Sequence, residues 1–491
     1  MKNMSTYCVR LGKDLPVSLK PTLELYRRAV QFYVDLILNR WDLFDNLAHK
    51  NGCIAVAEKL TVPSSKHPTT EADFTSLFPK FPCYLRRAAI SDAYGKVSSF
   101  KSNLANWEAQ DRRTRGKRPS VPTINNCFPA MYRDNTFVRT GTYTARIKVY
   151  IRNTWDWLDV TLRKTDVDYI QRRCISRKEC VPTLTKRGKN WSLDFAFEQR
   201  STLPDTKPLD RRIVAVDLGL NNAATCSVME SDGTVVARRF LSMRSEYDCL
   251  TRALNRIKLA QQSGARRMPS LWAKVNGINR HIAECTAAFI VDTAILYDCD
   301  VVVMEHLDVS GKKKGSKRQR LHHWKVKYVQ QLVTHKCHEN LMRVATVCAR
   351  YTSRLAFDGS GFVLRGKESI KTGGSYSECE FPNGKVYNCD LNASYNIGAR
   401  YYIREILGSM PERARSSMEA KVPSLARRST CTLSDLKGLR AAMVSLEKPS
   451  VERVMSGKTR DSRAPQGQPN ATNGLRHAGC PRLQSWEASR E

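Results

Sequence analysis

Residues 213–222 read IVAVDLGLNN. Four apolar residues run straight into Asp217, and the chain then breaks into Gly and Asn. A short apolar run bounded by turn residues is the pattern of a buried central strand. A carboxylate at the end of such a strand demands a positive partner, because an unpaired buried charge costs about 3–5 kcal/mol. Two more carboxylates have comparable settings. DVVVMEHLD, residues 300–308, is a second apolar strand carrying Glu305, and CDLNASYNIGARYYIREIL, residues 389–407, reads as a helix opening at Asp390. Singly, each is as readily a salt-bridge partner or, for Asp390, a helix N-cap. Together they are three hard oxygen donors on rigid elements, the kind that hold one or two Mg²⁺ ions, with Mn²⁺ as the alternative. Two such ions about 3.5–4 Å apart activate water and stabilise the leaving oxygen of a phosphodiester.

The chain around these motifs has 491 residues, with 81 Lys and Arg against 47 Asp and Glu, a formal charge of +34. A surplus of that size points to a polyanion, and nucleic acid is the commonest one. The 16 cysteines form no dense framework, which suggests reduced thiols and a cytoplasmic protein. The opening MKNMSTYCVRLGKDLP lacks an apolar signal core, and no run of about 18 apolar residues marks a membrane span. No membrane partner is expected.

Working outward, STYCVRL near the start reads as one short strand. Residues 21–41 read as a helix with Tyr26, Val30, Tyr33 and Ile37 on one face, and 84–108 as another with Ile90, Ala93 and Val97 in register. The segment 111–120 is a basic linker holding Arg112, Arg113 and Arg115. From about 121 the period becomes two. In YTARIKVYIR, residues 143–152, Ala145, Ile147 and Val149 alternate with Arg146, Lys148 and Arg152, a half-buried strand with a basic outer face. WDWLDVTLR and WSLDFAFE continue the β pattern. Beyond Asp217, NNAATCSVMESDGTVVARRF reads as a hairpin turning at Ser231-Asp232-Gly233. A long helix follows, with Leu271, Val275, Ile278 and Ile282 on one stripe. GKKKGSKRQR, residues 311–320, is a basic loop containing Lys312, Lys313 and Lys314. Residues 323–342 read as a helix and RVATV as a strand. Residues 351–388 are rich in Gly and Ser and show no period. After about 410 aromatics nearly vanish; one helix fits LSDLKGLRAAMVSLEK, and the rest has the composition of a disordered tail.

AVDLGLNN, VVVMEHL and CDLNASYNIGAR together resemble the three motifs of the split RuvC nuclease of TnpB proteins and of the compact type V CRISPR effectors related to them. WAKVNGINRHI, between the first two, is similar to the same family. The resemblance covers about 211–400, is mainly architectural over 1–210, and is absent after about 410. It implies an α+β multidomain protein with an RNase H-like (RuvC) nuclease domain and an N-terminal wedge-like β-barrel interrupted by a helical recognition domain. The implied divisions are 1–15 for the first barrel strand, 16–120 for the helical domain and 121–210 for the rest of the barrel. The nuclease occupies 211–350 and 389–410, split by an insertion at 351–388, and 411–491 form a largely disordered tail. The resemblance also implies Asp217, Glu305 and Asp390 as a catalytic, metal-binding triad. It implies guide RNA, target double-stranded DNA and the displaced single strand as partners of an RNA-guided DNA endonuclease.

The family usually carries a zinc ribbon at the insertion, with two CxxC pairs. Here Ala356 and Gly359 stand at the first pair, and only Cys379 and Cys389 remain of the second, too few for a tetrahedral site. The expectation is a zinc-free remnant acting as a mobile basic lid, with a site rebuilt from Cys348, Cys379 and Cys389 as the rival. Candidate nucleic-acid contacts are the basic residues already named, with Arg354, Arg365 and Lys367 in the lid. Two other functions stay open: an RNA-guided DNA binder that represses with little cleavage, and a transposition accessory protein without a guide.

Overall fold

The computed structural model describes residues 2–12, 15, 17–47, 51–65, 68, 70–113, 115–219, 221–307 and 324–447. Strand β1 (Lys2–Arg10) pairs along its whole length with β7 (Asn190–Arg200), running antiparallel from Lys2↔Arg200 to Arg10↔Ser192. Everything in between is therefore an excursion from one sheet. Its helices are α1 (Lys20–Asn39), α2 (Trp41–Phe44), α3 (Gly52–Thr61), α4 (Phe74–Leu77) and α5 (Cys83–Glu108). Tyr26, Val30, Tyr33 and Ile37 of α1 are all fully buried, as the 3.6-residue period requires.

The strands that follow are β2 (Phe137–Arg139), β3 (Thr144–Ile151) and β4 (Thr154–Thr161). After α6 (Lys164–Arg173) come β5 (Lys178–Glu179) and β6 (Thr183–Arg187). Arg152 and Asn153 join β3 to β4 with φ of 48° and 61°, the left-handed pair that a two-residue hairpin turn needs. The wedge-like barrel expected from the sequence is not closed among the described residues. One sheet runs β1-β7-β5 with β6 also on β7, and a second runs β2-β3-β4. Isolated bridges Leu11↔Leu162 and Ala130↔Thr183 tie them together. The reason is packing: Val9, Ile147, Val149 and Phe195 share one core with α1 and α5, so helices cover the apolar faces that a barrel would have turned inward.

The second half is built on a five-stranded sheet ordered β10-β9-β8-β11-β12. Its strands are β8 (Ile213–Asp217), β9 (Asn222–Met229), β10 (Val235–Ser242), β11 (Val301–His306) and β12 (Arg343–Cys348). β8, β9 and β10 are antiparallel neighbours, whereas β8, β11 and β12 run parallel. Alternation along β8 and β11 feeds two cores. Val214, Val216, Val302 and Met304 face α8 (Pro269–Leu296) and α9 (Val326–Glu339), while Ile213, Ala215, Val301 and Val303 face α10 (Cys389–Ser409). A further helix, α7 (Arg244–Gln262), precedes α8 and was not apparent from sequence.

Residues 351–388, which show no period in the sequence, are ordered around a small core. They form a three-stranded sheet of β13 (Leu364–Arg365), β14 (Glu378–Glu380) and β15 (Val386–Asn388) around Ala356, Val363, Cys379, Phe381 and Cys389. After 410 the helix read over LSDLKGLRAAMVSLEK is present, whereas the order at 412–430 differs from the disordered tail expected there. α11 (Glu412–Lys421), a 3₁₀ segment at Pro423–Thr430 and α12 (Leu433–Glu447) cover α10 with Met418, Leu425, Leu436 and Leu439. Helix α10 is buried nearly all round, from Leu391 to Ile403, and so takes cover on its outer side as well as from the sheet. No described helix is long and apolar enough to cross a membrane.

A close seam lies at Gly398, where α10 crosses the sheet. A Cβ there would run into the Met229 sulfur and come within 3.2 Å of the Ala215 Cβ. Gly398→Val is expected to destabilise this half by about 1–3 kcal/mol, the usual cost of overpacking, seen as a lower Tm in calorimetry.

Candidate active site

Register brings the first two carboxylates together. β8 and β11 pair in parallel as Val301↔Ile213 through Met304↔Val216, so Glu305 lies beside Asp217 on the next strand, about 4.8 Å away along the pairing direction. By parity both side chains leave the sheet on the face that α10 covers. Asp390 is the second residue of α10, so the third carboxylate arrives at the same strand ends. This is the carboxyl edge of the parallel strands, where the strand order turns from β9 to β11 around β8, a place where open α/β sheets build sites.

The local chain explains each position. Gly219 lets the chain double back after Asp217, since a Cβ there would meet the Asn222 carbonyl at 2.8 Å. Asn388, not Asp390, caps α10; its Oδ1 accepts from the amides of Asp390 and Leu391 at 3.1 and 3.0 Å. Asp390 is thus spared the capping role. Its Oδ2 instead accepts from Asn222 Nδ2 at 2.8 Å. The Thr352 hydroxyl donates to Glu305 Oε1, and Gln330 Nε2 donates to the Glu305 carbonyl at 2.7 Å.

The electrostatics follow from crowding. Burial first, then the charges of Glu305 and Asp390, push the Asp217 carboxyl well above its usual range, against an opposing pull from Arg365. β8 is buried to Val216 but opens at Asp217, so the enclosed carboxylate still sits at a lip that a ligand can reach. Burial also raises Glu305, opposed by the Thr352 hydroxyl and by Arg400. Part of the positive partner sought for Asp217 is therefore protein: Arg365 and the amide-rich start of α10.

Among the described residues no three His, Cys, Asp or Glu side chains already surround one point as metal ligands do. The chemistry of the donor set nevertheless fits a hard divalent cation. It is all carboxylate, carries no thiolate or imidazole, and holds mutual repulsion that such a cation relieves.

The other sequence candidates are dispersed. Arg112 and Arg113 are exposed on the linker, and Arg115 stacks on Trp107 at 4.2 Å. Arg146 and Lys148 stand over Trp157 at 5.7 and 5.3 Å, while Arg152 is exposed in the β3–β4 turn. Lys312, Lys313 and Lys314 lie outside the described residues. Arg354 pairs with Glu368 at 2.8 Å, and Lys367 is exposed. Of this set Arg365 alone acts on the carboxylates. In the ribbon, Cys379 and Cys389 lie side by side in the buried core, each altering the other's titration, and Ala356 packs in the same cluster. Sequence reasoning missed Asn222, Thr352, Gln330 and Arg400. Asn222 sits inside the DLGLNN stretch, five residues past Asp217; the others carry no local signal, since each reaches the site from a distant element.

The fold and site are those of a mixed α+β chain with three carboxylates converging at one sheet edge. Residues 5–151 match the model of the Aq_aa04 family. The chain is 30% identical over 129 residues to the uncharacterized protein aq_aa04 of Aquifex aeolicus (strain VF5), covering 23% of this chain and 70% of that one. The chain belongs to the Aq_aa04 family. That match lies wholly in the N-terminal half, apart from the three carboxylates. Among solved structures, the chain is similar to a type V effector in a Cas12f1–sgRNA–target DNA complex, at 14% identity over 80% of this chain and 98% of that one, with a TM-score of 0.32. It is also similar to Alicyclobacillus acidoterrestris C2c1 with single-guide RNA, at 9% identity over 78% of this chain and 69% of that one, with a TM-score of 0.39. TM-scores of this size give the two structural likenesses no weight.

Asp217 gives a pH signature. An unfolded aspartate ionises near about pH 3.9, whereas the folded one holds its proton to higher pH. Below the unfolded value both states are protonated and nothing is lost. As pH rises toward the folded value, the unfolded state alone releases its proton and stability falls. Asp217→Asn is therefore expected to raise Tm at pH 7 in metal-chelating buffer, with the gain fading toward pH 4. Equal melting of variant and wild type at both pH values would contradict this assignment of the charges.

Proposed function

We propose that this chain is an RNA-guided DNA endonuclease with one RNase H-like (RuvC) site, formed by Asp217, Glu305 and Asp390. The observation that carries the reading is the convergence of three carboxylates from β8, β11 and the start of α10. The sheet order, antiparallel on one side of β8 and parallel on the other, supports the RNase H-like assignment. The three motifs quoted above support the RuvC assignment, and the +34 charge suits a protein that holds guide RNA, target DNA and a displaced strand.

Asp217, Glu305 and Asp390 would hold Mg²⁺, or Mn²⁺ in its place. When bound, such an ion supplies positive charge for the phosphodiester and lowers the pKa of water. The chain's own residues do the positioning. Asn222 fixes the Asp390 carboxylate through its amide, and Thr352 does the same for Glu305. Gln330 pins the backbone at the end of β11. Arg365, facing Asp217, draws a phosphate of the incoming strand to the lip of the crevice. The ribbon that leads into Asp390 is held by its apolar core rather than by zinc.

Purified full-length protein should carry a small RNA. Sequencing that RNA and building a matching plasmid target with randomised flanks permits a cleavage assay. With Mg²⁺ the wild type should cut. Asp217→Ala, Glu305→Ala and Asp390→Ala should each lose at least about a hundredfold while still binding target, and Asn222→Ala should lose about ten- to a hundredfold, as outer-shell partners do. Wild-type-like cutting by any of the three carboxylate variants sinks the assignment. Binding without cutting by the wild type favours a repressor, and absence of RNA favours a guide-free accessory protein. Elemental analysis of the same preparation should find no stoichiometric zinc; one equivalent would make Cys348, Cys379 and Cys389 the first ligands to test and overturn the account of the ribbon.

A further inference from the structure

Ser227 of β9 meets Ser394 of α10, hydroxyl to hydroxyl at 2.6 Å, and Asn222 at the start of β9 reaches Asp390 at 2.8 Å. Strand and helix thus run in the same direction, and Thr225, between those two contacts, lies against the first turn of α10. By parity Thr225 shares the Ser227 face, since Ala224, Cys226 and Val228 point into the opposite core. The β8–β9 register also sets Thr225 directly across from Asp217, a pair whose Cβ atoms stand about 4.5–5.5 Å apart. On its other side Thr225 is paired with Phe240 of β10, whose ring carries no oxygen to accept a hydrogen bond. Thr225 is only 1% exposed, and its Oγ1 makes no hydrogen bond among the described residues.

A buried hydroxyl with no partner costs about 1–3 kcal/mol, so such a group calls for a reason. The carboxylates supply one. Glu305 has the Thr352 hydroxyl, and Asp390 has the Asn222 amide. Asp217 alone of the three takes no side-chain hydrogen bond among the described residues. A donor lacking an acceptor thus stands beside an acceptor lacking a donor, on adjacent strands at one register position. A threonine carries its hydroxyl and its methyl on one Cβ, and a turn of about 120° at χ1 exchanges their places. We propose that Thr225 is a positioning residue of the three-carboxylate site: its hydroxyl donates to one oxygen of Asp217 when a divalent cation holds the other. Carboxylates that ligate metal are themselves hydrogen-bonded, which fixes their orientation. The proposal rests on the reading of the carboxylates as a metal site, and deepens it by giving Asp217 the outer partner that Glu305 and Asp390 already have.

The test is metal binding, read apart from cutting. Full-length protein is stripped with EDTA, dialysed and titrated with Mn²⁺, the free ion being followed by electron paramagnetic resonance. The site is defined as the binding that Asp217→Ala removes. Thr225→Val keeps the side-chain shape and deletes the hydroxyl, whereas Thr225→Ser keeps the hydroxyl. Thr225→Val is expected to weaken Mn²⁺ binding about ten- to a hundredfold, the range for outer-shell partners, and Thr225→Ser to stay within about threefold of wild type. Without metal, Thr225→Val should melt no lower than wild type, because the hydroxyl it removes makes no bond there. Should it melt lower, Thr225→Ala carries the same comparison with less bulk. Unchanged Mn²⁺ affinity in the folded variant overturns the proposal, and so does an equal loss in Thr225→Ser. Wild-type protein with no Mn²⁺ site that Asp217→Ala removes overturns this proposal and the metal-site reading together. If Thr225→Val loses Mn²⁺ but the wild type carries no RNA or cuts no DNA, the proposed function falls and the positioning role stands.

Discussion

Three carboxylates at the end of one sheet repel each other, and much of the second half of the molecule arranges itself around that repulsion. Parallel pairing of β8 and β11 sets Asp217 beside Glu305, and the side-chain parity that buries Ile213, Ala215, Val301 and Val303 against α10 sends both carboxylates to that helix's N-terminus. The position of α10 is therefore set twice, by an apolar seam tight enough to require Gly398 and by the electrostatics of its first turn. Arg365, Asn222 and Thr352 each moderate the crowding without removing it. A site that crowds three carboxylates is destabilised in its resting form, a familiar compromise where binding supplies the compensating charge.

Among the described residues the two halves meet through a polar junction. Ser5 of β1, Arg177 and Glu339 of α9 form a linked set, with Arg177 and Glu339 both close to fully buried. Such a pair adds little net stability, because desolvation offsets its attraction, but removing either partner strands the other. Its value lies in geometry: it fixes where β1 docks on α9. The basic residues on the first half are spread over the linker, the β3 face and the β3–β4 turn, with several resting on aromatic rings. Cations held on rings keep most of their charge available to a polyanion while losing less side-chain freedom on binding.

The ribbon at 351–388 is ordered around aromatic and small buried side chains. Phe357, Phe381 and Tyr387 pack edge to face around the buried Cys379, Cys389 and Ala356. Asn392 and Asn396 of α10 reach back to the Leu355 carbonyl at 2.9 and 2.8 Å. The segment is thereby tied to the same helix that carries Asp390, and its arginine, Arg365, is delivered to Asp217.

Much was legible in the amino-acid order alone. The apolar runs of β8 and β11, the alternation of β3 and the faces of α1 and α5 are periodic signals, and periodicity survives without a fold because it records which side of an element must be dry. The three carboxylates were visible for the same reason: a charge at the end of an apolar run is a local contradiction. Tertiary structure decided what lies across elements. The first-half sheets stay open because helices occupy their apolar faces, and no single segment records that. Residues 412–430 fold because α10 needs an outer cover, which their own weak patterns do not reveal. Thr352, Gln330 and Arg365 reach the carboxylates from distant positions in the chain, so only packing brings them there. Sequence sets which residues must be buried or charged, since that is a property of each side chain. Which of them meet is settled by the closing of the cores, since contact is a property of pairs.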